Sequence, residues 1–131
     1  MKISGTFEVQ LKPISPYAQS NNGIQLGRMS IDKTFSGPLS ATSQGEMLTA
    51  MTATKGSAGY VAIEQVSGTL SGKTGSFVLQ HFGVMNRGAN RLILEVVPDS
   101  GTGELVGLTG KMTINMKDGQ HIYDFEFALG E

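Results

Sequence analysis

The sequence contains no cysteine, and only 16% of its residues are charged. Without cysteine the chain has no disulfide, no thiolate nucleophile and no cysteine-ligated zinc or iron–sulfur centre. A net charge of −1 and an isoelectric point near 6.1 provide no basic surface for nucleic acid or for an anionic membrane. We therefore expect neither nucleic acid nor a membrane as a partner. Stability must come from burial and backbone pairing.

Long apolar runs are also missing. No segment of the sequence approaches the roughly 18 consecutive apolar residues that suggest a transmembrane helix. The first residues, Met1–Phe7, go straight into an alternating pattern and lack the charged and apolar regions of a secretory signal. We expect a soluble, cytoplasmic protein. Its length of 131 residues fits a single domain over residues 1–131.

Glycine is abundant, with 18 residues. Clusters of turn-forming residues separate short segments in which apolar and polar residues alternate. In the first segment Ile3, Phe7 and Leu11 fall on one face and polar residues fall on the other, as in a half-buried strand. Further strands are predicted at Ile24–Phe35, Leu39–Thr54, Tyr60–Val66, Ser76–Phe82, Arg91–Val97, Gly110–Met116 and His121–Leu129. The strand at 60–66 is expected to end at a Ser67-Gly68 turn. An Asp-Gly pair at 118–119 predicts a hairpin between the last two strands.

The connector between the strands at 91–97 and 110–116 contains four glycines in ten positions, at 101, 103, 107 and 110. Each would cost about 1 kcal/mol relative to alanine inside a helix, so the segment indicates tight turns between strands. We predict an all-β fold in which about eight antiparallel strands close into a barrel. Large residues on both faces of several strands favour the barrel over a sandwich, which remains the alternative.

Several blocks resemble, in the same order, the signature of a bacterial family of unknown function. They are Lys33–Gly37, Gly59–Glu64, Gly75–His81, Val96–Pro98 and Ser100–Leu108. That family is placed with the allene oxide cyclase-like barrels, so the resemblance implies an eight-stranded barrel with a central cavity. It brings no activity, because the family is uncharacterised. Plant cyclases and dirigent proteins with this barrel bind hydrophobic small molecules inside it without a metal or organic cofactor. Since fold does not determine function, no catalytic residue is carried over.

Two ionisable residues interrupt apolar rows. Glu64 lies between Ala62 and Val66 on one face of its strand, and His81 shares a face with Leu79. In a dry cavity such a carboxylate and imidazole can act as an acid/base pair, since burial raises a carboxyl pKa toward neutrality. We predict that Glu64 points into the barrel. In the alternative interpretation Glu64 accepts a structural hydrogen bond, and His81 caps a barrel end or faces solvent.

Aromatic and apolar residues of the same rows are the candidate ligand contacts, together with one further carboxylate. They are Tyr60, Phe77, Leu79, Tyr123, Phe125 and Glu46. Such rows are more often plain core than the lining of a pocket. The two histidines, His81 and His121, are far apart in the sequence and have no carboxylate at helical ligand spacing, so we expect no metal site. No organic cofactor is expected.

Three functions remain open at this level. The first is the binding of a small hydrophobic or aromatic molecule inside the barrel, since barrels of about eight strands can hold one small ligand. The second is a cofactor-free isomerase or cyclase that uses the same cavity, with Glu64 and His81 or Tyr123 as acid/base partners. The third is a filled barrel with a role in protein interaction. A homo-oligomer is allowed by the composition but not required.

Overall fold

The computed structural model describes residues Met1–Gly130 and contains a single closed antiparallel sheet. The strands are β1 (Lys2–Ile14), β2 (Gln25–Ser36), β3 (Leu39–Met51), β4 (Ala58–Leu70), β5 (Lys73–Asn86), β6 (Ala89–Val96), β7 (Thr109–Lys117) and β8 (Gln120–Ala128). Each strand pairs with its neighbours in the sequence, and β1 pairs with β8 to close the barrel. Over the described residues, a short 3₁₀ turn at Gly103–Leu105 is the one helical element, and no helix could span a membrane.

The predicted all-β class and the closed barrel of about eight strands are confirmed, and the sandwich alternative is wrong. Closure satisfies the backbone groups that an open sheet would leave at its edges. The seam between β6 and β7 is the shortest, with Glu95 opposite Lys111. β6 pairs with β5 over all eight of its residues, so the short seam is confined to its β7 side.

Two-residue turns connect three of the strand pairs. They lie at Ser71–Gly72, Arg87–Gly88 and Asp118–Gly119, and all six residues have φ between 49° and 92°. Left-handed conformations at both central residues are those of a type I′ turn, whose twist matches the twist of paired strands. The predicted Asp-Gly hairpin is therefore confirmed.

One predicted turn is wrong. The Ser67-Gly68 pair lies inside β4, which continues to Leu70. Gly68 is needed there for a different reason, because a Cβ at this position would overlap the carbonyl oxygen of Ser40 on β3. Glycine inside a strand often marks such a close approach of two backbones.

The interior of the barrel has a packed half and an open half. In the packed half, aromatic rings and leucines fill the space between the strands, and the ring centroids of Phe77 and Phe125 lie 5.9 Å apart. Burial of each large apolar side chain contributes roughly 1.5–3 kcal/mol, so this half supplies much of the stability. In the open half, the inward-facing side chains line a cavity.

The connector between β6 and β7, residues 97–108, closes the packed end of the barrel. Leu105 and Leu108 are each 1% exposed and plug this end. The backbone N–H of Thr102 donates to the carbonyl oxygen of Ser76 at 2.8 Å, which extends the pairing of β5 onto the connector. The glycine-rich segment is thus a structural cap for the core.

Gly101→Ala is expected to destabilise the protein, because a Cβ at this position would overlap the carbonyl oxygen of Leu105. We expect a loss of at least about 1 kcal/mol, or about 3 °C in Tm. Gly59→Ala is the matched control, since the nearest atom to its new Cβ lies 3.8 Å away. Thermal unfolding of both variants measures the difference. An unchanged Tm for Gly101→Ala would contradict the close packing of the connector.

Candidate functional site

The open half of the barrel encloses a cavity of about 810 Å³. Its wall is mainly aliphatic and thioether, with contributions from Val9, Leu11, Met29, Ile31, Met47 and Ile114. Exposed Met51 and Met85 stand at its mouth, so the cavity opens to solvent at this end of the barrel. Two smaller hollows of about 350 and 480 Å³ lie on the outer surface and are lined mainly by polar residues. Of these three, the large cavity has the apolar wall typical of a small-molecule site.

A buried carboxylate and three partners form the floor of this cavity. Glu64 is 0% exposed, and its Oε1 atom accepts a hydrogen bond from Ser43 Oγ at 2.6 Å. Its Oε2 atom accepts from Lys33 Nζ at 2.8 Å and lies 2.5 Å from His81 Nε2. Lys33 and His81 line the cavity, and Glu64 lies behind them. Both carboxylate oxygens are therefore used within the protein.

Small residues on the neighbouring strands make room for this cluster. Gly45 on β3 lies opposite Glu64 on β4, and a Cβ at Gly45 would overlap the backbone carbonyl oxygen of Ile63 and crowd the Cα and Cβ atoms of Glu64. Ala62 lies opposite His81 on β5, and its small methyl group leaves room for the imidazole to reach its diagonal neighbour Glu64. Diagonal pairs on one face of a sheet are within reach of long or aromatic side chains.

The prediction that Glu64 points into the barrel is confirmed, but the expected direction of its pKa shift is wrong. Burial alone raises this pKa. The hydrogen bond from His81, the charge of Lys33, and hydrogen bonds from Lys33 and Ser43 outweigh burial and lower the pKa of Glu64 from 4.5 to about 2. At neutral pH Glu64 is a carboxylate that orients its partners.

Glu64 also determines which nitrogen of His81 carries a proton. Because the ionised Oε2 atom can only accept, the Nε2 atom beside it must donate. In the neutral ring Nδ1 then keeps a free lone pair, and it has no hydrogen-bond partner within residues 1–130. Nδ1 is therefore the atom of this ring that is left to interact with a molecule in the cavity, and the Lys33 ammonium lies on the same Glu64 oxygen as the ring. Over the same residues no three histidine or acidic side chains group as a metal site would need.

Tyr60 is the predicted ligand contact that does line the cavity. Its ring centroid lies 6.3 Å from that of His81. Burial, with a smaller effect of the Glu64 charge, raises the pKa of the Tyr60 hydroxyl above its usual value of 10.0. The ring lies over Gly83, where any Cβ would overlap it. The Tyr60 hydroxyl is therefore neutral at physiological pH.

The prediction that Glu46 contacts a ligand in the barrel is wrong. Glu46 lies on the outer surface, where its carboxylate accepts a hydrogen bond from Arg28 Nε at 2.6 Å. Side chains alternate along β3, so its neighbour Met47 faces the cavity. The odd-numbered row of β3 from Leu39 to Met47 is small or apolar, whereas the even-numbered row from Ser40 to Glu46 is polar, so the alternation along β3 already indicates an outward Glu46.

The other predicted ligand contacts lie in the packed half of the barrel. Phe77, Leu79, Tyr123 and Phe125 are all at most 1% exposed and belong to the core cluster. The Tyr123 hydroxyl accepts a hydrogen bond from the backbone N–H of Leu39 at 3.1 Å, which anchors the start of β3. These four side chains lie inside the barrel, but alternation along a strand does not show how deep along the barrel a side chain lies.

Two members of the floor were missed by the sequence interpretation. Lys33 lies between Ile31 and Phe35 on the apolar face of β2, which is the same pattern that singled out Glu64. A search for every charge in an apolar row would have found Lys33. Ser43 offers no such signal, because serine is common on both faces of polar strands.

The fold and the site define a small closed β-barrel with an apolar cavity above a buried polar floor. Residues 3–127 match the family described as protein of unknown function DUF3224, and the chain belongs to that family. A crystal structure of a DUF3224 protein of unknown function from Shewanella oneidensis MR-1 is similar, with 61% sequence identity and a TM-score of 0.98. The match covers 100% of this chain and 98% of that one. No curated protein matches the chain.

Removal of one member of the buried ion pair formed by Lys33 and Glu64 should destabilise the protein. We expect Glu64→Gln to lower the free energy of unfolding by about 3–5 kcal/mol, because the Lys33 ammonium then lacks its counter-charge. Lys33→Met together with Glu64→Gln should cost less than the sum of the single changes, with a coupling above about 1 kcal/mol. Urea denaturation of the four proteins of this cycle measures the coupling.

The exposed pair Lys111 and Glu126, 4.0 Å apart, provides the control cycle with the same substitutions. Their side chains are 71% and 62% exposed, so the coupling there should be close to zero. If the effects of Lys33→Met and Glu64→Gln were simply additive, the two groups would not interact as described.

Proposed function

We propose that this protein binds a small apolar molecule in the cavity of its barrel. The observation that carries the proposal is an apolar space of about 810 Å³ with a mouth to solvent and a polar floor. Protein interiors are close-packed and their voids are few, so an unfilled apolar space of this size favours an occupant. Met29 and Met47, which face each other across β2 and β3, supply an adaptable wall.

The resemblance to allene oxide cyclase-like barrels supports the same use by analogy of fold, because plant members with that barrel bind hydrophobic molecules inside it. A filled barrel with a role only in protein interaction is less consistent with the interior, since half of it is unpacked.

A second candidate function is that of a cofactor-free isomerase or cyclase. The observation that favours it is the His81 ring, whose Nε2 is held by Glu64 and whose Nδ1 lacks a protein partner. In such a reaction His81 would accept a proton from the bound molecule and return it to another atom, and Lys33 would stabilise the intermediate anion. Transfer of deuterium from heavy water into a C–H bond of a bound compound distinguishes this enzyme from a simple binding protein.

Phenylnaphthylamine, a neutral apolar dye that fluoresces in apolar surroundings, tests the binding function. Met47→Trp should weaken its binding at least about tenfold, a loss of about 1.4 kcal/mol, because the indole occupies space inside the cavity. Leu48→Trp is the matched control, since Leu48 is 54% exposed and faces outward from the same strand. Fluorescence titration gives the Kd of each protein. Equal affinity of the two variants, or no binding to the wild type, would contradict the proposal.

A further inference from the structure

The ionisable side chains in the cavity wall are nearly all basic. The residues with basic nitrogens that line it are Lys33, Lys55, His81, Arg91 and His121. No aspartate or glutamate of the described chain lines the cavity, although the sequence has 11 acidic residues and a net charge of −1. An apolar wall with basic groups alone suits a molecule that is apolar along its body and carries negative charge.

The basic residues at the mouth differ from those at the floor. Lys55 and Arg91 are exposed, and the Arg91 guanidinium lies 5.6 Å from the ring of Phe82 on the outer surface. Exposed charges interact weakly with a ligand, because water screens them. Lys33 and His81 are 7% and 4% exposed, so an anion beside them would meet much less screening.

The hydrogen-bonding capacity left over at the floor also favours an anion. Both oxygens of Glu64 are engaged, whereas Lys33 uses one of its three N–H donors on that carboxylate. His81 uses Nε2 only. An anionic oxygen between Lys33 and His81 could therefore accept from the ammonium and, if the ring is protonated, from Nδ1.

Charge balance links binding to a proton. Lys33 and Glu64 already neutralise each other, so a further buried anion beside a neutral His81 ring would leave the floor with one negative charge. Buried charge without compensation is costly. Protonation of His81 restores neutrality, and its Nε2–H remains on Glu64 while Nδ1–H turns to the anion.

We infer that the cavity binds an apolar monoanion whose head group lies between Lys33 and His81, and that His81 takes up one proton when the anion binds. The inference rests on the proposed ligand binding and specifies the ligand class. The charged or titratable groups around His81 are Glu64 and Tyr60 on β4, Lys33 on β2 and His121 on β8. Because a proton enters the complex, affinity for the anion should fall as pH rises.

Two dyes of nearly the same shape test this inference. Anilinonaphthalene sulfonate carries a sulfonate that stays ionised over the usable pH range, and phenylnaphthylamine is its neutral counterpart. The wild-type protein should bind the sulfonate at least about tenfold more tightly than the neutral dye at about pH 6, and this preference should shrink toward about pH 9. Binding of the neutral dye should stay constant over the same range.

His81→Gln should remove both the preference and its pH dependence while the affinity for the neutral dye is kept, which also shows that the variant folds with its cavity intact. Arg28→Gln is the matched control, because Arg28 lies on the outer surface, where it donates a hydrogen bond to Glu46, and does not line the cavity. It should retain the preference and the pH dependence.

The possible failures are distinguishable. If neither dye binds, the proposed binding function itself is wrong. If the neutral dye binds and the sulfonate has no advantage, the inference about the anion is overturned and the binding function stands. A preference that persists in His81→Gln, or that disappears only in Lys55→Gln or Arg91→Gln, would place the head group at the mouth and overturn its assignment to the floor.

Discussion

An ionised carboxylate inside a barrel must have partners for both of its oxygens, and this requirement at Glu64 organises the centre of the molecule. Its three partners, Lys33, Ser43 and His81, come from β2, β3 and β5. Satisfying the carboxylate therefore also favours one arrangement of four adjacent strands. The same contacts leave the ammonium and the imidazole facing the cavity. One set of hydrogen bonds thus stabilises the buried carboxylate and also orients two groups toward the cavity.

The two halves of the barrel interior divide stability and function between them. The aromatic core and the plug of Leu105 and Leu108 bury the side chains that stabilise the fold. That support allows the opposite half to leave apolar surface unpacked around Met29 and Met47. The Glu64 cluster lies at the boundary, where it separates the dry core from the cavity. A site built on strands in this way holds its groups more rigidly than one built on loops.

Much of the fold could be predicted from the sequence, because alternation and turn chemistry are local signals. The Asp118–Gly119 hairpin and the inward face of Glu64 were both predicted from such signals. The division of the interior into a packed half and an open half could not be predicted, since Phe77 and Tyr60 occupy the same kind of inward position yet lie in different halves. Depth depends on the stagger between strands, which no single strand encodes. The low pKa of Glu64 also required knowledge of the partners, because burial alone acts in the opposite direction.

Titration of Glu64 tests most directly whether this carboxylate holds the floor together. The chemical shift of its carboxyl carbon, followed by NMR as the pH is lowered, reports when the group takes up a proton. Since the partners lower the pKa to about 2, we predict that the shift keeps its carboxylate value down to about pH 3. A titration midpoint at or above the ordinary value of 4.5 would show that the partners do not stabilise the charge, and would contradict the described cluster.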